Sequence, residues 1–313
     1  MTTAAGTALD WLLGSDEPGV VLQAKRDLLD ESDPPEAARV LEGPLVSGLL
    51  AGQQADGSFG VHAYGKWGGA HWRLVSLVEL GVPAGEPRCV AAAETVLAWL
   101  TGEGHRARIP TIDGLVRRCA SQEGNALAVC CRSGLATILV SGCSPSRSSS
   151  GNGGWNCDKK ATGYRSSFNE SLPPMWGLHE YWLATAETTA RDAALQTAEL
   201  FLGHRVFRRL ATGAPIHESF VTLHYPPFWH YDVLQALVVL ERMGLAPEPR
   251  ASDALDLLEE RRLADGRWRP GARWWKPPGK PGSNVEVVDW GSGPNELLTL
   301  NALRVLRGAG RVR

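Results

Sequence analysis

Three short segments of this chain share one form, a glycine turn closed by an aromatic side chain: Asp56-Gly57-Ser58-Phe59-Gly60, Gly153-Gly154-Trp155 and Asp265-Gly266-Arg267-Trp268. Their offsets lie near twice a period of about 50 residues, which predicts intermediate copies. Thr101-Gly102-Glu103-Gly104 occupies the first gap. Arg208-Arg209-Leu210-Ala211-Thr212-Gly213 occupies the second and echoes Arg261-Arg262-Leu263-Ala264-Asp265-Gly266. A second pattern follows each turn, in which a polar residue opens a run of periodic apolar residues: His71, Asn125, Asn169, His230 and Asn295. After His230, the residues Val233, Leu234, Leu237, Val238 and Leu240 recur at helical spacing, which argues helix over strand.

The unit is therefore helix, glycine-aromatic turn, helix, repeated about five times, and a unit of that size cannot bury its apolar faces alone. Stacking is required. The chain carries 12 Trp, 35 Gly and 20 Pro, recurring at the turns, unlike the sparse turns of open helical repeats. A closed ring is thus expected over an open solenoid. The predicted fold is all-α, an α/α toroid of about five to six helix pairs around a central cavity, with residues 1–313 as a single domain.

Of the 313 residues, 43% are hydrophobic and 21% charged, enough apolar material for a core of ordinary density. Against 34 acidic residues stand 32 Lys and Arg, for a net charge of −2 without long single-sign runs, so no nucleic-acid partner is expected. No stretch approaches the ~18 apolar residues of a membrane span, and residues 1–13 hold no Lys or Arg of a secretion signal; a cytoplasmic protein is expected. In that setting the six cysteines (Cys89, Cys119, Cys130, Cys131, Cys143, Cys157) read as free thiols or metal ligands. Cys130 and Cys131 sit in an apolar stretch and should pack as small hydrophobes.

In a ring of such repeats the residues that open the inner helices converge on one end of the cavity, so His71, Asn125, Asn169, His230 and Asn295 should face a common space. Helix N-termini there lower thiol pKa and attract anions, and Cys119 precedes such a terminus. The same Asn and His residues are equally suited to capping backbone N–H groups. Arg205, with Arg208 and Arg209, ends a helix, where it either complements the dipole or clamps a phosphate or carboxylate. His224-Tyr225-Pro226-Pro227 lies on a link too long for a bare connector and is placed to act as a lid. Trp155, Trp176, Trp229, Trp274 and Trp275 are candidates to line an apolar pocket, or to pack as core.

The turn motifs resemble the repeat shared by terpenoid cyclases and protein prenyltransferases. The fuller stretches, residues 64–81, 153–181, 203–238 and 265–307, also resemble bacterial squalene-cyclase-like proteins. Neither the Asp-x-Asp-Asp proton donor of squalene-type cyclases nor an Asp-Asp-x-x-Asp diphosphate motif occurs here. The resemblance to protein prenyltransferases implies a zinc ion held by Asp, Cys and His. Phe228-Trp229-His230-Tyr231 looks like the segment carrying that His, and Cys157 looks like the thiolate, although Asp158 follows it directly where the family's Asp precedes by two.

These readings assign Cys119, Cys157 and His230 as zinc ligands and Asp232 or Asp158 as a fourth or supporting group. His71, Asn169 and Asp232 are the catalytic candidates. Trp72, Trp176, Arg205, Trp229 and Tyr231 are the candidates for binding a small-molecule substrate. The expected function is a prenyltransferase- or cyclase-like enzyme activating a nucleophile or carbonyl on a small, partly apolar substrate. The alternative is a metal-free cavity protein that binds a hydrophobic ligand.

Overall fold

A computed structural model describes residues 4–112, 115–136, 153–158 and 165–312. Cys143 lies outside the described residues. The helices in chain order are α1 (Ala4–Leu13), α2 (Pro18–Leu29), α3 (Pro44–Leu50), α4 (Ala70–Glu79), α5 (Pro87–Thr101) and α6 (Glu103–Arg106), then α7 (Ala120–Arg132), α8 (Phe168–Thr185), α9 (Thr188–Gly203), α10 (Val233–Arg242), α11 (Ser252–Glu260) and α12 (Glu296–Gly308). The described strand is confined to one two-residue ladder, Thr111–Ile112 against Leu115–Val116. The protein is mostly helical, as the apolar periodicity requires. None of the described helices is long and apolar enough to cross a membrane.

The glycine-aromatic turns are built alike. Gly57, Gly153 and Gly266 have φ of 84°, 87° and 85°, a left-handed conformation that costs a residue with a Cβ. In the first and third turns the same pair of backbone bonds closes the loop: Gln54 N–H to Ser58 O and Gly57 N–H to Gln54 O, then Leu263 N–H to Arg267 O and Gly266 N–H to Leu263 O. The aromatic that follows is buried each time, Phe59, Trp155 or Trp268. Two of these aromatics are fastened to the next long helix by one scheme. The Trp155 carbonyl accepts from Ser167 N–H and its N–H donates to the Ser171 hydroxyl, while Trp268 makes the same pair of bonds with Asn295 and Thr299.

The scheme fixes the start of α8 and α12, and the helices that carry the five polar residues open at the N-cap positions Gly69, Cys119, Ser167, Asp232 and Asn295. Of the five polar residues expected to open helices, only Asn295 occupies this position, its Oδ1 accepting from Leu298 N–H at 2.9 Å. His71 and Asn169 lie two residues inside, Asn125 lies within α7, and His230 precedes its cap. The side chain two positions on caps α10 instead: Asp232 Oδ1 accepts from Gln235 N–H at 3.0 Å.

Neighbouring helices meet in the order α2, α4, α7, α8, α10, α12, and α12 meets α2. In addition, α5 packs on α4 and α7, α9 on α8, and α11 on α10. The α7–α8 contact is the closest of these. A Cβ on Gly124 would overlap the backbone of Pro173 and Pro174, and one on Gly177 would overlap the Gly124 carbonyl. Pro173 and Pro174 lie inside α8 and cannot donate the helical bonds to the carbonyls of Asn169 and Glu170. Cys130 and Cys131 are buried in α7, as their apolar surroundings imply.

Candidate active site

The long link between α9 and α10 forms the site. It is tied down at several points, which is why so irregular a segment holds one shape. Tyr231 donates from its hydroxyl to the Val206 carbonyl at 2.5 Å and from its backbone N–H to Asn169 Oδ1 at 2.8 Å. Asn125 Nδ2 donates to the Phe228 carbonyl at 3.4 Å, and Trp275 Nε1 to the Tyr225 carbonyl at 2.9 Å. Phe228 has a φ of 42°, a strained value for an aromatic residue, and its ring stacks on Trp67 with centroids 3.9 Å apart.

This anchoring turns His224 toward Asp232. His224 Nδ1 lies 2.6 Å from Asp232 Oδ2, and the same oxygen accepts from the His224 backbone N–H at 2.9 Å. Both side chains are buried, 2% and 0% exposed. An ionised carboxylate can only accept, so Asp232 takes its bond from the Nδ1–H of His224. The second ring nitrogen, Nε2, lies 3.0 Å from the Gln235 side-chain amide nitrogen and 3.3 Å from the Pro227 carbonyl oxygen. Asp232 thus does two jobs, capping α10 and fixing the orientation and tautomer of an imidazole.

His224, Gln235, Asn125, Asn169, Trp176, Trp229, His230 and Tyr231 line one cavity of about 60 Å³, walled further by Leu172, Leu234, Val238 and Leu298. That volume admits a few water molecules or one small apolar group. His230 is sandwiched there, its ring 4.0 Å from Trp229 and 4.4 Å from Trp274 by centroids, and nearly parallel to the latter. Burial, with His224 and Lys66 nearby, lowers its pKa to about 3, so the ring is neutral near neutral pH. At the floor Arg242 donates to both carboxylate oxygens of Glu79 at 2.9 and 3.0 Å. Burial alone would raise the Glu79 pKa, but Arg242 and Arg132 outweigh it and hold the group ionised. Beside this pair the Tyr225 hydroxyl is buried without a hydrogen-bond partner.

Of the residues singled out from sequence, Asn169, Trp176, Trp229, His230 and Tyr231 line this cavity, and Asp232 lies directly behind it. Trp72 does not line it, but is fully buried and supports Phe228 edge-on at 5.3 Å. His71 is sealed away between Tyr64, Trp72 and Trp99 with neither ring nitrogen bonded, and burial lowers its pKa to about 3. Arg205 is exposed and pairs, with Arg208, to Asp253 of α11; it clamps two parts of the protein together outside the cavity. His224 and Gln235, which complete the imidazole's bonding, were not singled out as catalytic; the only signal was a histidine in an overlong link.

The thiols form a different group. Cys157 hydrogen-bonds to Cys119, and Glu170 lies within bonding reach of it; the Cys119 contact, burial and the Glu170 charge push its pKa far up. Among the described residues no group of three or more His, Cys, Asp and Glu side chains could hold a metal ion, so Cys119, Cys157 and His230 do not form the expected zinc set. No protein-family model matches the chain, and no curated protein matches it.

Proposed function

We propose that this protein is an enzyme of proton transfer on a small, partly apolar substrate, with His224 as general base or acid and Asp232 as its positioning residue. One observation carries the reading: a buried imidazole fixed by a buried carboxylate lines an aromatic-walled cavity, its second nitrogen in contact with Gln235 and the Pro227 carbonyl, which line the same cavity. His224 Nε2 would take a proton from a nucleophile or from an acidic C–H, and Asp232 would stabilise the imidazolium that results. The rings of Trp176 and Trp229 wall the cavity, with the Asn125 and Asn169 side chains among its polar lining.

The architecture behind this reading is the α/α toroid of the terpenoid-cyclase and prenyltransferase type. It is supported by the order of helix contacts, in which α12 returns to α2, and by a cavity placed where the long helices begin. The competing reading is a binding protein that holds a hydrophobic ligand without catalysis; the apolar walls favour it as much as they favour an enzyme.

One assay separates the two. Purified protein is incubated with a panel of short-chain alcohols, aldehydes and esters, and depletion is followed by mass spectrometry. The enzyme reading expects conversion that falls about 10²- to 10⁴-fold in Asp232→Asn, a change that keeps a good N-cap. Retention of a compound without conversion by the wild type would establish the binding reading. Metal content of tag-free protein is measured alongside: about one zinc per chain, lost in Cys157→Ala, would return the metal to the mechanism.

A further inference from the structure

A second cavity, about 590 Å³, opens at the opposite ends of the long helices, and it is far larger than the one below His224. Its size falls within the range of small-molecule sites. Five arginines line it: Arg26 from α2, Arg132 from α7, Arg242 from α10, and Arg304 and Arg307 from α12. Each stands in the last turns of its helix, where the C-terminal dipole favours a cation. The dipoles account for basic residues at these positions, but not for four helices turning them onto one hollow.

The guanidinium groups are held in place by acidic and amide partners, of which Asp27 and Gln23 themselves line the hollow. Glu79 binds Arg242, Asp30 binds Arg307, and Asp27 binds both Arg26 and Arg304. Gln23 and Asn301 add acceptors for Arg304, at 2.8 and 3.0 Å. A guanidinium has five N–H donors, more than these partners accept. Arg304 Nε is buried with no hydrogen-bond partner, and the bonds of Arg132 are long, 3.5 Å to Glu180 and 3.4 Å to the Val78 carbonyl. Asp27 and Glu241 line the hollow with the five arginines, while Glu79, Asp30 and Glu180 pair with Arg242, Arg307 and Arg132. Val238 and Arg242 also line the His224 cavity, so the two spaces share a wall.

We infer that this basal hollow is a binding site for a small molecule carrying two or more anionic groups, phosphate or carboxylate. Pre-oriented forks on several sides suit a polyanion, because a single anionic group would engage one side only.

The test is calorimetric titration of the full-length protein at low ionic strength with pyrophosphate and, separately, with citrate. Saturable one-to-one binding of at least one is expected, weakened about tenfold in the Arg26→Gln/Arg307→Gln variant, which is the loss of roughly one charge-assisted bond. Binding of pyrophosphate alone marks a phosphate-bearing ligand, citrate alone a polycarboxylate, and both the shared polyanion chemistry. Arg307→Lys, which keeps the charge and loses the fork, should weaken binding less than the double variant and guards against a folding defect. Arg205→Gln removes an exposed arginine elsewhere and should leave affinity unchanged. The inference is overturned if neither anion binds saturably, if the double variant binds as the wild type does, or if Arg205→Gln weakens binding equally.

Discussion

An imidazole sealed among aromatic rings, as His71 is, can be accommodated neutral but not charged. Its pKa is about 3 in the folded protein, against roughly 6.5 in an unfolded chain. Below pH ~6.5 the unfolded state takes up a proton that the folded state refuses, so stability is lost progressively as pH falls toward 3, by at most about 1.4 kcal/mol per pH unit. His71→Phe is expected to move the acid-unfolding midpoint, followed by circular dichroism, to lower pH; an unchanged midpoint would contradict the assignment. Glu286 acts with the opposite sign. Burial raises its pKa to about 8, so the stability it contributes is present below pH ~4.5 and is lost as pH rises through 8. Glu286→Gln should therefore reduce the fall in urea midpoint between pH 5 and pH 9, and a fall as steep as the wild type's would count against it.

At the scale of elements, the α7–α8 contact depends on glycine where glycine is otherwise a poor helix residue. Gly→Ala on an open helix surface gains about 1 kcal/mol. At Gly124 the added methyl would meet the Pro173–Pro174 backbone, which cannot rotate away as a side chain can. Gly124→Ala is expected to cost about 1–3 kcal/mol by urea denaturation. Gly104→Ala in α6, where nothing stands near the new methyl, should be neutral or stabilising. Equal effects at the two sites would show that packing at α7–α8 is looser than described. The consequence reaches the site, because Asn125 and Asn169, which hold the 228–231 segment, ride on these two helices.

Across the whole molecule, the last helix is bound to one of the first. Arg304 and Arg307 of α12 reach Asp27 and Asp30 of α2, and Leu297, Leu298, Leu300, Leu303, Val305 and Leu306 of α12 are buried. Six such side chains at about 2 kcal/mol each come to about 12 kcal/mol, comparable with the total stability of an ordinary domain, about 5–15 kcal/mol. A chain ending at Pro294 should therefore lose its cooperative urea transition, and a truncated protein that still unfolds in one sharp step would show that α12 is an appendage. Helical content, the glycine turns and the buried aromatic after each turn follow from local rules, left-handed φ for Gly57, Gly153 and Gly266 and apolar period for the helices, and these were legible along the chain. Which polar residue faces the cavity was not. His71 and His230 look equivalent in sequence, yet one is walled in by Tyr64, Trp72 and Trp99 while the other stacks between Trp229 and Trp274. His224 and Asp232 are eight residues apart with no periodicity linking them. Their meeting depends on bonds from Asn125, Asn169, Val206 and Trp275, residues brought from distant parts of the chain. Local preference decided the helices and turns because each needs only its neighbours. The site and the basal arginine hollow were decided by tertiary packing, because contacts from distant parts of the chain, such as Glu79 on Arg242, Asp27 on Arg304 and Asn169 on Tyr231, bring their side chains together.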